Sequence, residues 1–155
     1  LDNFLKNKNY TLIIKIHHLQ DLSFLNMVKL NNIFYITDND LQKVDIQVNE
    51  LLENADILLT DYSSVFYEFL LFDRPIGFLI GDIDEYKRGF IVENPLEEMP
   101  GEKIHNNLEL YKFLEDYLNG IDNYKEKREQ LKNHVFKYFD AKNSERLIKW
   151  IETYN

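Results

Sequence analysis

The chain has 155 residues, of which 45% are hydrophobic and 29% charged, and its formal net charge is −9. This length and hydrophobic content are enough for one ordinary domain with a buried core. The negative charge argues against general affinity for nucleic acid or for an anionic membrane surface. Because the chain contains no cysteine, disulfides, thiolate nucleophiles and cysteine-based metal sites are excluded.

Short apolar runs with the length of buried strands alternate with segments of helical spacing. The predicted strands are residues 11–16, 32–36, 56–60 and 75–80, and the predicted helices between them are residues 19–30, 46–54 and 63–72. This alternation is typical of βαβ units. It predicts an α/β fold, with a Rossmann-like parallel sheet flanked by helices.

The second half of the chain has a different pattern. Residues 81–101 are rich in Gly, Pro and acidic residues and predict a loop, whereas the apolar stripe of Leu108, Leu110, Tyr111, Leu114 and Leu118 predicts a helix that ends at Gly120. Two more helices are predicted at residues 124–138 and 144–154, the first with a basic face exposed to solvent. With no repeat or linker, we predict a single domain over residues 1–155. We expect it to be a fragment of a longer protein, because the first residue is Leu and residues 1–5 already have a helical pattern.

The first predicted strand ends in Lys15, His17 and His18. Ligands of open α/β sheets bind beyond the carboxyl ends of the strands, so His17 is placed to donate a hydrogen bond to a phosphate or to transfer a proton. The alternative is that both histidines cap the strand or face solvent.

The third predicted strand is followed by Asp61, Tyr62, Ser63 and Ser64 and then by an apolar helix. Ser63 is the predicted N-cap, and the amides of the first helical turn with two hydroxyls would form an anion site that needs little net positive charge. Alternatively, Ser63 only caps its helix and Asp61 only shapes the turn. A serine hydrolase is disfavoured, since no G-x-S-x-G motif is present.

The loop after the fourth predicted strand contains Tyr86 and Arg88. Arg88 could reach a phosphate with its planar guanidinium group, and Tyr86 could stack or donate a hydrogen bond. The alternative is a solvated network of ion pairs. Neither a G-x-G-x-x-G nor a Walker motif occurs, and the acidic residues do not have EF-hand spacing, so we predict no metal and no cofactor.

Five segments together resemble a known family. In order they read K-I-H at 15–17, N-A-D-I-L-L-T-D-Y-S-S-V-F at 54–66, R-P-I at 74–76, D-I-D-E-Y-K-R-G-F at 82–90 and E-M-P-G at 98–101. They resemble the C-terminal half of the CDP-glycerol glycerophosphotransferases, the teichoic acid primases and polymerases. The resemblance covers about residues 10–120.

The resemblance implies a two-domain, glycosyltransferase-B-like enzyme whose C-terminal half binds a CDP-alcohol. His17 would be the catalytic or phosphate-contacting histidine of a K-x-H motif, in which Lys15 would contact the substrate. Ser63 and Ser64 would hold the donor pyrophosphate, with Asp61 shaping the turn. Tyr86 and Arg88 would complete the site through an R-G motif. Two features depart from the family: His18 replaces a usual Pro, and the spacing from Tyr86 to Arg88 is short.

The implied reaction transfers glycerol phosphate, or a related polyol phosphate, from CDP-glycerol or a related CDP-polyol to a teichoic acid or similar cell-surface polymer. The acceptor would be lipid-linked and bound through the other half, so the fragment alone would catalyse little. The implied location is cytoplasmic, peripheral at the inner face of the cell membrane. Two alternatives remain: a nucleotide-sugar glycosyltransferase of the same architecture, and a non-catalytic α/β interaction module.

Overall fold

The computed structural model describes residues 1–16, 30–81, 83 and 94–154. The helix predicted at 19–30 and most of the loop predicted at 81–101 lie outside these ranges. Backbone contacts divide the chain into two compact units, Leu1–Leu51 and Leu52–Asn155. The single donor-binding domain expected from the sequence stays a prediction.

The Leu1–Leu51 unit is built around two parallel strands. In chain order its elements are α1 (Asp2–Lys8), β1 (Leu12–Lys15), β2 (Ile33–Ile36), α2 (Asp38–Lys43) and the first residues of α3 (Val48–Asn54). Leu12 pairs with Ile33, and Lys15 pairs with Ile36. Both strands were predicted from the sequence.

α1 is attached to the loop before β2 through its first residue. Oδ1 of Asp2 accepts hydrogen bonds from the backbone N–H groups of Asn31, at 3.1 Å, and Asn32, at 2.8 Å. The bond from Asn32 is the main cause of a lowered pKa for the Asp2 carboxyl. Leu5, one turn further along α1, is buried.

α2, which the sequence analysis missed, begins immediately after β2. Thr37 and Asp40 form a capping box, in which each side chain bonds to the backbone N–H of the other residue. Asp38 therefore lies at the carboxyl end of β2.

The Leu52–Asn155 unit has three parallel strands in the order β3-β4-β5. Its elements are β3 (Leu58–Thr60), α4 (Val65–Phe69), a 3-10 turn (Leu70–Phe72), β4 (Ile76–Leu79), α5 (Pro95–Glu98), β5 (Glu102–Ile104), α6 (Asn107–Leu118), α7 (Lys125–Val135) and α8 (Asn143–Tyr154). β3, β4 and the three last helices agree with the prediction, and β5 was missed. The two units together confirm the α/β fold with parallel strands flanked by helices.

α4 packs on one face of this sheet through aromatic side chains. The rings of Phe66 and Phe78 meet edge to face, with centroids 5.2 Å apart. Phe69, Ile76 and Ile80 join them in the same buried cluster. Alternate residues of β4 thus face α4, as the period of a strand requires.

α6 lies against the opposite face of the sheet. A Cβ atom on Gly77 would lie 2.7 Å from Ile104, 2.8 Å from Leu59 and 3.0 Å from Phe113. Only a residue without a side chain fits here, because α6 packs directly on the backbone of β4. Helices therefore cover both faces of the sheet.

The buried stripe of α6 differs from the predicted one. Leu110, Phe113 and Leu114 are buried, whereas Leu108 is 79% exposed. Leu108 and Leu118 lie in the first and last turns of the helix and are both exposed, so the prediction that they belong to the buried stripe was wrong. Phe113, which was not in the predicted stripe, is buried instead.

α7 carries a buried charge where the sequence predicted a solvated basic face. The side chain of Arg128 is 1% exposed, and its guanidinium group contacts both carboxylate oxygens of Asp122, at 2.9 and 2.5 Å. A second carboxylate, that of Asp73, lies 3.7 Å away. These three residues, called the Arg128 cluster below, join α7 to the turn before β4.

α8 has no buried residue among those the structure describes. Its exposed apolar side chains are Leu147, Ile148, Trp150, Ile151 and Tyr154. Within the described ranges, no helix has the length and apolar character needed to cross a membrane.

Candidate functional site

The three strands of the Leu52–Asn155 unit present their carboxyl ends at one edge of the sheet. Parallel strands of open α/β sheets bind ligands beyond this edge. The chain leaves β3 at Asp61, β4 at Ile80 and β5 at His105. The predicted residues Asp61, Ser63 and Ser64 all lie here, in the turn between β3 and α4.

An internal hydrogen bond fixes the shape of this turn. Oδ1 of Asp61 accepts from the backbone N–H of Ser63 at 2.9 Å, which is the geometry of an Asx turn. α4 then begins at Val65, with Ser64 at the N-cap. The predicted cap at Ser63 was therefore wrong by one residue, because the Asp61 carboxylate turns the chain before the helix begins.

The two serine hydroxyls are only weakly engaged within the protein. Oγ of Ser63 lies 3.5 Å from the backbone nitrogen of Val65, a long distance for a hydrogen bond, and the side chain of Ser64 makes no capping bond. Both residues are exposed, whereas Thr60 before them and Phe66 after them are buried. The turn thus presents two hydroxyls to solvent from a rigid base.

The charge around the turn is negative. Residues 61–69 contain the carboxylates of Asp61 and Glu68 and neither Lys nor Arg. An anion bound by the hydroxyls and amides of this turn needs a cation from another part of the chain. The sequence analysis assigned a phosphate contact to Arg88.

Lys15 lies at the carboxyl end of β1 in the Leu1–Leu51 unit. Its Nζ contacts Oδ1 of Asp38 at 2.7 Å, and about a third of its side chain is exposed, 33%. The carboxylate at the end of β2 thus holds the ammonium group near the edge of the two strands. Its predicted contact with a donor stays a prediction.

His17, Tyr86 and Arg88 fall outside the described residues. Their assignments, as the catalytic residue and as two donor-binding residues, stay predictions. In the part of the chain that the structure describes, no group of three or more His or acidic side chains is arranged to hold a metal ion.

The structure adds a group of polar residues that the sequence analysis missed, at the end of β5. Oε2 of Glu109 accepts from the backbone N–H of His105 at 2.7 Å and lies 3.0 Å from Nδ1 of the same residue. The backbone bond is the main cause of a lowered pKa for the Glu109 carboxyl. The sequence signal was Asn106 followed three residues later by Glu109, a pattern typical of a helix start.

With its parallel strands, flanking helices and polar turn at the carboxyl edge, the chain has an α/β architecture of the kind that binds ligands beyond the strand ends. Residues 1–153 match the family CDP-Glycerol:Poly(glycerophosphate) glycerophosphotransferase. The chain belongs to this family of transferases in teichoic acid synthesis, which confirms the resemblance found in the sequence.

Curated relatives are teichoic acid enzymes. The chain is 29% identical over 150 residues to the teichoic acid ribitol-phosphate polymerase TarK of Staphylococcus aureus (strain NCTC 8325 / PS 47), covering 96% of this chain and 28% of that protein. It is 31% identical over 150 residues to the teichoic acid glycerol-phosphate primase of Bacillus subtilis (strain 168), covering 94% of this chain and 35% of that protein. The chain therefore spans about a third or less of the length of these relatives.

A solved structure has the same fold. A variant of the wall teichoic acid polymerase TagF, soaked with CDPG for 15 minutes, is similar to this chain with a TM-score of 0.71 and 28% identity. The match covers 98% of this chain and 37% of the TagF chain. This similarity supports the prediction that the chain is the Rossmann-like half of a larger enzyme.

Proposed function

We propose that this chain is the donor-binding half of a polyol-phosphate transferase, and that it binds a CDP-alcohol such as CDP-glycerol. The observation that carries the proposal is the family match over residues 1–153. Relatives include both ribitol-phosphate and glycerol-phosphate enzymes, so the proposed donor class is a CDP-linked polyol. A related polymerase was solved after a soak with CDPG, which supports binding of such a donor.

The turn after β3 is the proposed position of the donor pyrophosphate. Ser63 and Ser64 offer exposed hydroxyls at the carboxyl edge of the sheet, and Asp61 holds the turn. Lys15, Arg88 and Tyr86 are the further residues proposed to contact the donor.

The proposed reaction is an in-line phosphoryl transfer. A base outside this chain takes the proton of the acceptor hydroxyl as its oxygen bonds to the β-phosphorus of the CDP-alcohol. The bond from that phosphorus to the bridging oxygen breaks, and CMP leaves. His17 donates a hydrogen bond to the transferring phosphate or protonates the leaving oxygen. Such reactions depend mainly on positioning and on stabilisation of charge.

The acceptor and the location follow from the same family. The proposed acceptor is a lipid-linked teichoic acid or a similar cell-surface polymer, held by a part of the enzyme that this chain does not contain. The enzyme would then work as a peripheral protein at the inner face of the cell membrane, as the C-terminal half of a glycosyltransferase-B-like pair of domains.

Calorimetric titration of the chain with CDP-glycerol, CDP, UDP and GDP tests the proposal. We expect selective binding of the cytidine compounds, and a loss of about tenfold in affinity in Ser64→Ala, because a hydrogen bond to a charged phosphate contributes about 1.5 kcal/mol or more. Ser144→Ala is the matched control, since Ser144 is an exposed serine in the first turn of α8.

Two results would contradict the proposal. Equal binding of UDP or GDP would favour a nucleotide-sugar glycosyltransferase. A full-length enzyme with normal turnover after His17→Ala would remove the catalytic assignment of that residue.

A further inference from the structure

A cavity of about 330 Å³ lies beyond the carboxyl ends of β4 and β5. Leu79, Ile104 and Leu110 form its apolar floor, and Ile104 and Leu110 are buried in the core of the unit. Gly81 allows the two strand ends to approach, because a Cβ atom there would lie 3.2 Å from the carbonyl oxygen of His105. The floor of this cavity, called the His105 cavity below, is therefore fixed by the sheet.

The polar residues that the structure describes at the rim of the His105 cavity are His105, Asn106 and Asn107. Asn106 is occupied within the protein: its Oδ1 accepts from the N–H groups of Leu108 and Glu109, at 3.0 and 3.1 Å, and its Nδ2 donates to Glu109 at 2.8 Å. Its function is to hold the start of α6. Among the rim residues that the structure describes, His105 and Asn107 are left to contact a ligand.

Glu109 sets the orientation of the His105 ring. Its Oε2 lies 3.0 Å from Nδ1, so Nε2 is the ring nitrogen that can face a ligand. The side chain of His105 is 56% exposed although its ring is held in place. A surface histidine that is fixed by a carboxylate and lies beside a cavity at the ligand edge has the placement of a binding residue.

We propose that the His105 cavity binds the polyol of a polyol phosphate through its hydroxyl groups. This inference rests on the proposed function. An imidazole and an amide above an apolar floor suit a carbon chain that carries hydroxyls, whereas the nearby carboxylate of Glu109 disfavours a phosphate. The described lining residues include no Phe, Tyr or Trp on which a nucleobase would stack.

The position of the cavity fits this assignment. β3 and β5 are both hydrogen-bonded neighbours of β4. With strands spaced about 4.8 Å apart, the turn at Ser63 and the His105 cavity lie on the same edge at a separation on the order of 10 Å. The polyol is bonded directly to the donor's second phosphate, and the terminal polyol of the acceptor must reach the same phosphate. The polyol of the donor and the terminal polyol of the acceptor would therefore present the same hydroxyl groups to the cavity.

Titrations of the full 155-residue chain with CDP, CDP-glycerol and a short glycerol phosphate oligomer test this inference. In His105→Ala we expect unchanged affinity for CDP and about three- to tenfold weaker binding of CDP-glycerol, the effect of one lost hydrogen bond. Weaker binding of the oligomer alone would assign the cavity to the polyol of the acceptor. His134→Ala, an exposed histidine on α7, is the control, and Asn107→Ala is the second variant.

Unchanged affinities for both CDP-glycerol and the oligomer in His105→Ala would overturn the inference and leave the proposed function intact. If the wild-type chain bound neither CDP nor CDP-glycerol, the proposed function would fail by itself. The cavity is then tested by NMR of the histidine rings with sn-glycerol 3-phosphate, with inorganic phosphate as control. A shift of His105 specific to the polyol supports the inference, and its absence overturns it.

Discussion

The turn after β3 and the Arg128 cluster use charge in opposite ways. At the turn, Asp61 bonds a backbone amide while two serine hydroxyls stay exposed at the edge of the sheet. In the Arg128 cluster, a fully buried guanidinium is bonded to Asp122 and lies close to Asp73. The comparison teaches that a buried guanidinium is held by an ion pair inside the protein, although Nε of Arg128 and Oδ1 of Asp73 have no hydrogen-bond partner among the described residues, whereas the hydroxyls at the strand ends stay exposed to solvent.

The difference follows from the cost of burying a charge. Removing an ionised group from water costs several kcal/mol, which only a close partner of opposite charge with good geometry offsets. Arg128 has such a partner in Asp122, with two short bonds. The exposed hydroxyls of Ser63 and Ser64 stay solvated in the folded chain, so they contribute little to stability.

Removal of Arg128 is expected to have the largest effect. Arg128→Ala should lower the free energy of unfolding by about 3–5 kcal/mol, because it leaves Asp122 and Asp73 without their cation. Urea unfolding measures the change. Glu129→Ala, on an exposed position of the same helix, is the control and should change stability by less than about 0.5 kcal/mol. Equal stabilities of the two variants would show that the Arg128 cluster does not hold α7.

Removal of the Asp61 carboxylate from the turn after β3 is expected to reduce stability less than removal of Arg128. Asp61→Ala removes the acceptor for the N–H of Ser63 and should cost about 1 kcal/mol, with weaker donor binding because the turn opens. Asp61→Asn keeps an acceptor oxygen and removes a negative charge, so it should retain both stability and binding of an anionic donor. Loss of binding in Asp61→Asn would mean that the charge itself contacts the ligand.

The smallest effect is expected from the titration of Asp122. The hydrogen bond from Arg128 is the main reason why the pKa of the Asp122 carboxyl is lowered. The unfolded carboxyl has a pKa of about 3.9. Its contribution to stability is therefore complete above that pH and is lost as the pH falls through the lower pKa of the folded state.

The free energy of unfolding, measured between about pH 5 and pH 2, checks this prediction. Asp122→Asn should show a shallower loss of stability in acid than the wild type. Equal slopes for the two proteins would show that Asp122 titrates normally in the folded chain.

The sequence predicted the strands that are apolar and missed the one that is not. Residues 11–16, 32–36, 56–60 and 75–80 each contain a run of large aliphatic or aromatic side chains, and each forms a strand. β5 has only three residues, Glu102, Lys103 and Ile104, and two of them are charged. It is a strand because Phe78 and its neighbours in β4 pair with it, which no local pattern reveals.

The sequence predicted where the turn of the candidate site lies, but not the conformation of that turn. The rule that ligands bind at strand ends located the turn of Asp61 to Ser64, but the Asx turn that moves the cap to Ser64 depends on one side-chain rotamer. Arg128 could not be distinguished from the other basic residues of α7, because Asp73 lies far from it in sequence. His105 was missed because its ring faces a cavity formed by two separate strands.

The connections of the three-stranded sheet also bear on how the chain folds. Leu58 pairs with Ile76, and Gly77 pairs with Glu102, so that each strand of the Leu52–Asn155 unit pairs with the next strand in the chain. Closing short loops costs less chain entropy than pairing remote strands, and folding rates rise as contacts become more local. The edge that carries the turn and the His105 cavity is therefore built from contacts within one continuous stretch of chain.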